Sequence, residues 1–181
     1  IDIDSIESQI TEKTRGIVMV HLGGNACDID AINKLAHARG IRTVEDAAHA
    51  FGTKYKGRHL GNNTSDFVVY SLQAIKHVTS VDGGILVCSN SEDFERAKLL
   101  RWYGLDRNAK TEDLRCEKDL LEAGYKMHMN DVNATIGLES LKYADDIITR
   151  HRQHAKYYDE HLNVEVVRET NDCESAYWLY T

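Results

Sequence analysis

Two rhythms of apolar and polar residues run along the chain. In residues 2–15 isoleucines recur at helical spacing among polar neighbours, which predicts a short amphipathic helix. Residues 16–21 are an apolar run that predicts a buried strand. A helix is expected over 28–39, with Asp28 as its N-cap and Gly40 as its stop. A second strand follows at 41–45 and ends in Asp46. A strand–helix–strand unit of this length implies a parallel pair. Residues 55–64 are polar, contain Gly57 and Gly61, and read as a loop or hairpin. Strands are expected at 66–72 and 84–88, then a helix over 91–103 closed by Gly104. Residues 107–115 are charged and irregular, and a long helical pattern with a break spans about 130–161. Residues 163–168 read as a strand opening a further subdomain. The expected class is α/β, a mostly parallel sheet flanked by helices. Residues 1–145 are assigned to a large domain and 146–181 to a linking helix and the start of a smaller one.

Composition narrows the function. With 42% hydrophobic and 28% charged residues, the chain has the balance of a globular domain with a real core. Its net charge of -7 argues against nucleic-acid binding. Anions can still be held locally by backbone amides and a few placed cations. Cys27, Cys88, Cys116 and Cys173 form no CxxC pair; they read as reduced thiols of a cytoplasmic protein, with no zinc or other metal site. Apolar runs stop at about five residues, far short of the ~20 that span a membrane. Proline is absent, where average usage gives roughly nine, and no physical reason for this is evident. Ile1 at one end and Thr181, just past an aromatic cluster, at the other suggest a partial chain.

Two segments can carry chemistry. Asp46 sits where a strand runs into small residues, at the carboxyl edge where open α/β sheets place their ligand crevice. Capping the following turn is the other reading that this segment leaves open. Lys76 follows an apolar strand, inside a turn that ends in Gly83-Gly84. Such a lysine can be partly desolvated and freed for Schiff-base chemistry, or it can be an ordinary loop lysine. Ser71 and Gln73 stand at the head of that turn. Pyridoxal 5'-phosphate (PLP) needs a lysine for its aldehyde, a carboxylate for its ring nitrogen and donors for its phosphate. Lys76, Asp46 and Ser71 offer one of each.

The run Glu45-Asp46-Ala47-Ala48-His49-Ala50 resembles the Glu-Asp-Ala-Ala-[Gln/His]-Ala motif of the DegT/StrS-type sugar aminotransferases, PLP enzymes of fold type I. Ser71, Lys76 and Asp82-Gly83-Gly84 resemble that family's lysine motif, Ser-x-x-x-x-Lys followed by Gly-[Asp/Glu]-Gly-Gly. Val20-His21-Leu22-Gly23-Gly24 with Cys27-Asp28-Ile29-Asp30 is similar to its Pro-Val-His-Leu-x-Gly and Asp-Met-Asp segment. Gly124-Tyr125-Lys126-Met127-His128-Met129-Asn130-Asp131, followed by Ala134, resembles its Gly-Tyr-Asn motif.

The resemblance implies roles. Asp46 would pair with the pyridinium nitrogen, and His49 would stand near the cofactor's 3-oxygen, where the family usually has Gln. Ser71, with Gln73 beside it, would hold the phosphate, and Lys76 would form the Schiff base and move the proton. Lys126 takes the place of an Asn that reaches a neighbouring subunit's cofactor phosphate, with His128 and Asn130 as nearby alternatives. The implied reaction moves an amino group from an amino acid, L-glutamate by resemblance, to a nucleotide-linked ketosugar in amino-sugar biosynthesis, in a homodimer.

Related dehydratases of deoxysugars carry His at the Schiff-base position, so Lys76 argues against that chemistry, although His77 is its neighbour. A partial chain that folds without catalysis is the alternative from another class. Family members are about twice as long, and a phosphate-binding loop and ring-stacking residue would come from a preceding segment. His21, His77 and His128 read as packing or surface residues. Trp102 and Tyr103 read as packing, and Trp178 and Tyr180 as the start of the small domain.

Overall fold

The structure, a computed structural model, describes residues 1–108, 120 and 122–181. Cys116 and most of the charged stretch expected at 107–115 lie outside these residues.

The sheet is built by alternation. Strands β1 (Gly16–Val20), β2 (Arg42–Asp46) and β5 (Phe67–Ser71) run parallel, and β6 (Gly84–Cys88) adds antiparallel to β5. In register, Ile17 faces Thr43, Met19 faces Glu45 and Glu45 faces Val68. These residues share one buried face because side chains alternate along a strand. Helix α2 (Ile29–His37) contributes Ile29, Ile32 and Ala36 to the same core. Asp28 caps it by accepting the Ala31 N–H at 3.2 Å, and Gly40 leaves it at φ +66°. The opposite sheet face exposes Val18, Val20, Val69 and Leu86.

Strands β3 (Lys54–Tyr55) and β4 (Arg58–His59) form a hairpin. Its two-residue turn, Lys56-Gly57, has positive φ at both positions, the mirror-image turn that matches strand twist. β7 (Cys173–Glu174) pairs with the other edge of β3.

Helix α1 (Ile3–Gln9) is shorter than the 2–15 pattern, because Ile10 already has extended backbone. Helix α3 (Ser91–Leu100) stops before the expected residue 103, and the amide of Gly104, at φ +83°, bonds back to Leu99 O. The expected break in the last helical pattern falls at Lys142-Tyr143, between α4 (Asp131–Leu141) and α5 (Ala144–His161). The strand expected at 163–168 does not form: in the described residues this stretch makes one backbone bond to the chain end, from Val167 N–H to Thr181 O, and no ladder. No helix among the described residues is long and apolar enough to cross a membrane.

Candidate functional site

Asp46 is the last residue of β2, on the less buried sheet face, in register with Val20 and Val69. Its Oδ1 accepts the Ala48 N–H at 3.0 Å, so it caps the following turn. Its Oδ2 makes no hydrogen bond among the described residues and is free to serve a ligand. The two readings of Asp46 are therefore compatible.

Residues 72–83 form a turn closed at its base by Leu72 N–H to Gly83 O and by Ser80 N–H to Leu72 O, both 2.9 Å. Gly83, at φ +144°, is required there: a Cβ would lie 2.8 Å from Ser80 Oγ and 2.6 Å from Met129 Cε. Ser71 Oγ accepts the Gln73 N–H at 3.3 Å, and Gln73 Oε1 accepts the Ile75 N–H at 3.1 Å. Both side chains thus shape the turn that presents Lys76. Ser71 keeps a hydroxyl proton to donate, whereas Gln73 has committed its carbonyl.

Asp46, His49 and Lys76 come together. Burial holds the His49 imidazole below its ordinary value, the charge of Lys76 adds to this, and Asp46 opposes it. Both charged groups therefore lie within electrostatic reach of one ring. The His49 Nδ1 accepts the Gly23 N–H at 3.4 Å, which leaves Nε2 as the proton-bearing nitrogen of the neutral ring. His49 stacks on Trp178 with ring centroids 4.0 Å apart, and the Lys76 Nζ lies 3.9 Å from the centre of that indole. Trp178 is thus part of the site, and no local pattern could reveal it, because only the folded chain brings it to Lys76.

The buried sheet face supports this edge. His21 Nε2 lies 3.0 Å from Glu45 Oε2, both side chains fully buried, and the His21 amide bonds to the Asp46 carbonyl at 3.0 Å. Burial works against a charged His21 ring and the Glu45 carboxylate works for it. The Cys27 N–H donates to Nδ1 at 3.1 Å. His21 is thus a packing histidine beneath Asp46.

His77 turns away from its neighbour Lys76. Its ring is buried and meets His151 of α5 edge to face, centroids 4.4 Å apart.

Lys126 stands apart. It is exposed, pairs with Trp102 through a single antiparallel bridge, and makes no hydrogen bond or ion pair to Asp46, His49, Ser71 or Lys76. Its segment is tied to the end of α3 by Tyr125 N–H to Leu100 O (2.7 Å) and Met127 N–H to Arg101 O (3.0 Å). Nearby, Lys98, Arg101, Trp102, Arg107 and His128 line a cavity of about 610 Å³.

The site is thus an acid, an imidazole and a lysine gathered at the carboxyl edge of a mostly parallel sheet, an arrangement that defines an α/β ligand-binding domain. The sequence profile of the DegT/DnrJ/EryC1/StrS aminotransferase family matches residues 1–181, and the chain belongs to that family. It is similar to AtS13 from Actinomadura melliaura, 37% identical with a TM-score of 0.92, covering 99% of this chain and 50% of that one. It is similar to the sugar aminotransferase CalS13 from Micromonospora echinospora, 32% identical, TM-score 0.90, covering 99% and 51%. An E. coli GDP-4-keto-6-deoxy-D-mannose-3-dehydratase with bound hydrated PLP matches at 26% identity and TM-score 0.84, covering 99% and 49%. Protein MJ1066 from Methanocaldococcus jannaschii is 37% identical over 163 residues, 88% of this chain and 42% of that protein. The chain thus spans about half the length of these relatives or less.

Proposed function

We propose that this chain carries the lysine-bearing part of a PLP-dependent sugar aminotransferase. In this reading the protein moves an amino group from an amino acid, L-glutamate by resemblance, to a nucleotide-linked ketosugar. The observation that carries it is the meeting of Asp46, His49 and Lys76 at one sheet edge, in a member of the aminotransferase family. The residues fit the cofactor: Asp46 Oδ2, which makes no hydrogen bond among the described residues, and the primary amine of Lys76 both lie within electrostatic reach of the His49 imidazole. Bound there, PLP supplies an aldehyde that accepts the amino group and a ring that takes up electrons from the substrate carbon. Asp46 would hold a proton on the ring nitrogen, His49 Nε2–H would face the 3-oxygen, and Ser71 Oγ–H, with Gln73 beside it, would hold the phosphate. Lys76 Nζ would be the amine that meets the aldehyde and would serve as the proton carrier of the site.

A dehydratase relative shares the fold, so the residue that meets the aldehyde decides between the two chemistries. The Lys76 amine faces Trp178 near His49, whereas His77 is buried against His151. That difference supports transamination.

The homodimer, with Lys126 serving the partner's cofactor, belongs to the same proposal. So do the cytoplasmic setting and the division at residues 145 and 146. Borohydride trapping with PLP, followed by peptide mapping, tests the assignment. The label is expected on Lys76, and a label on Lys54, Lys56 or Lys126 would overturn it. No absorbance near the Schiff-base band after PLP addition would favour a partial, non-catalytic chain.

A further inference from the structure

Trp178 makes three contacts at the site, two of them to the turn bearing Lys76 and one to His49. Its indole centre lies 3.9 Å from Lys76 Nζ, its ring stacks on His49 at 4.0 Å, and its Nε1–H donates to the Ile75 carbonyl at 3.0 Å. The residues on either side of it are also held in place. The Tyr177 carbonyl is bound by His151 Nδ1 at 2.8 Å, and the Leu179 N–H donates to Gly23 O at 3.2 Å. Gly23 in turn donates to His49. The indole is thus fixed relative to both the imidazole and the amine.

An aromatic face attracts an ammonium through its quadrupole and gains much less from a neutral amine. A lysine can attack a carbonyl only as the neutral amine. We propose that Trp178 is a positioning residue for Lys76: it holds the charged amine against the indole and covers it, and an incoming aldehyde has to draw it away. The inference deepens the reading of Lys76 as the carbonyl-reactive residue. It assigns control of that reactivity to Trp178, a side chain far along the sequence from Lys76.

The test is the rate at which each lysine of the cofactor-free chain is acetylated by acetic anhydride, read by peptide mass. Wild type is compared with Trp178→Phe, which keeps an aromatic face, and Trp178→Leu, which removes it. Lys13 and Lys34, both exposed, serve as references. Loss of the indole should raise the Lys76 rate about fivefold relative to the references, the scale of one exposed cation–π contact. The Phe variant should stay nearer wild type. Equal Lys76 rates in all three proteins would overturn the proposal, as would a rise shared by every lysine, which reports only loosening of the fold. If Leu prevents folding, Trp178→Met supplies the same comparison with bulk retained. Borohydride trapping with PLP on the same variants separates the two readings. PLP on another lysine, with Lys76 acetylation still responding to Trp178, overturns the cofactor assignment and leaves the indole contact standing.

Discussion

His77 meets His151 edge to face at 4.4 Å, and its Nε2 is buried without a hydrogen-bond partner among the described residues. Burial first, then the charge of His151, push the His77 imidazole down to about 4; the Phe51 backbone opposes them, and Lys76 adds the smallest downward part. The folded chain therefore keeps this ring neutral at pH values where the unfolded chain protonates it, below about 6.5. Stability from the neutral ring is complete above that value and is lost as pH falls toward 4. At about 1.4 kcal/mol per pH unit, this is at most about 3.5 kcal/mol. Urea unfolding between pH 7.5 and 4.5 should show the loss, and His77→Gln should flatten it. An unchanged slope in that variant would mean that other groups carry the acid sensitivity.

The opposed influences of Asp46 and Lys76 on His49 give a second prediction. Asp46→Asn removes the charge that favours the imidazolium, so His49 should titrate at still lower pH. Lys76→Met removes a repelling charge and should move it upward. Histidine proton NMR on the two variants measures both. Opposite signs are required, and shifts in the same direction would place one of the two groups away from the ring. Under the proposed aminotransferase reading, Asp46→Asn should also lower kcat by about 100-fold or more, the scale of a lost proton-handling group.

Gly52 packs under α5 at φ +84°, where an added Cβ would lie 2.2 Å from Ile148 Cδ1. Gly52→Ala should therefore destabilise the chain by about 2–4 kcal/mol, from backbone strain plus overpacking. Ile148→Val deletes the offending methyl, so the double variant should recover the packing part and keep the strain. Denaturant titration of the four proteins gives the coupling directly. Strict additivity would show that α5 does not rest on Gly52.

The contacts of His77 and Gly52 mark where sequence reading stops. β1, β2 and β5 were legible to within a residue or so at each end, because short apolar or β-branched runs bounded by polar residues mark strands of a mostly buried sheet. The termini of α2 were legible in Asp28 and Gly40. Lys76 and Asp46 could be placed on one edge from strand order alone. Residues 163–168 look like a strand by composition, but a strand needs a neighbour, and composition does not report one. His77–His151, Gly52–Ile148 and Lys76–Trp178 each join residues tens of positions apart. Such contacts leave no periodic trace, so a histidine that reads as packing and an aromatic that reads as the start of another domain both lie beside the candidate site. Lys126 is the converse case: its motif is plain and its expected contact is to a neighbouring subunit, which a single chain does not contain.

That last separation leads to the assembly. Tyr125 is 60% and Met127 71% exposed, on a segment tied to the end of α3 and the residues just after it by three backbone hydrogen bonds. Gly104 and Gly124 permit the approach: a Cβ on Gly104 would lie 2.1 Å from Glu122 O, and one on Gly124 would lie 2.3 Å from Gly104 N. The segment is therefore a fixed ridge with apolar side chains facing solvent and Lys126 between them. If the ridge enters a second copy, it brings Lys126 to that copy's site, and the interface should bury well over about 1,000 Å² around an apolar centre. Sedimentation velocity over a range of concentrations should show a monomer–dimer equilibrium. Tyr125→Glu with Met127→Glu should shift it toward monomer by about tenfold or more in Kd, since each carboxylate would be desolvated at the contact. Lys126→Ala should leave association nearly intact and weaken PLP binding to the dimer. A chain that stays monomeric at every concentration, or a double glutamate variant that associates as wild type does, would remove Lys126 from the shared site.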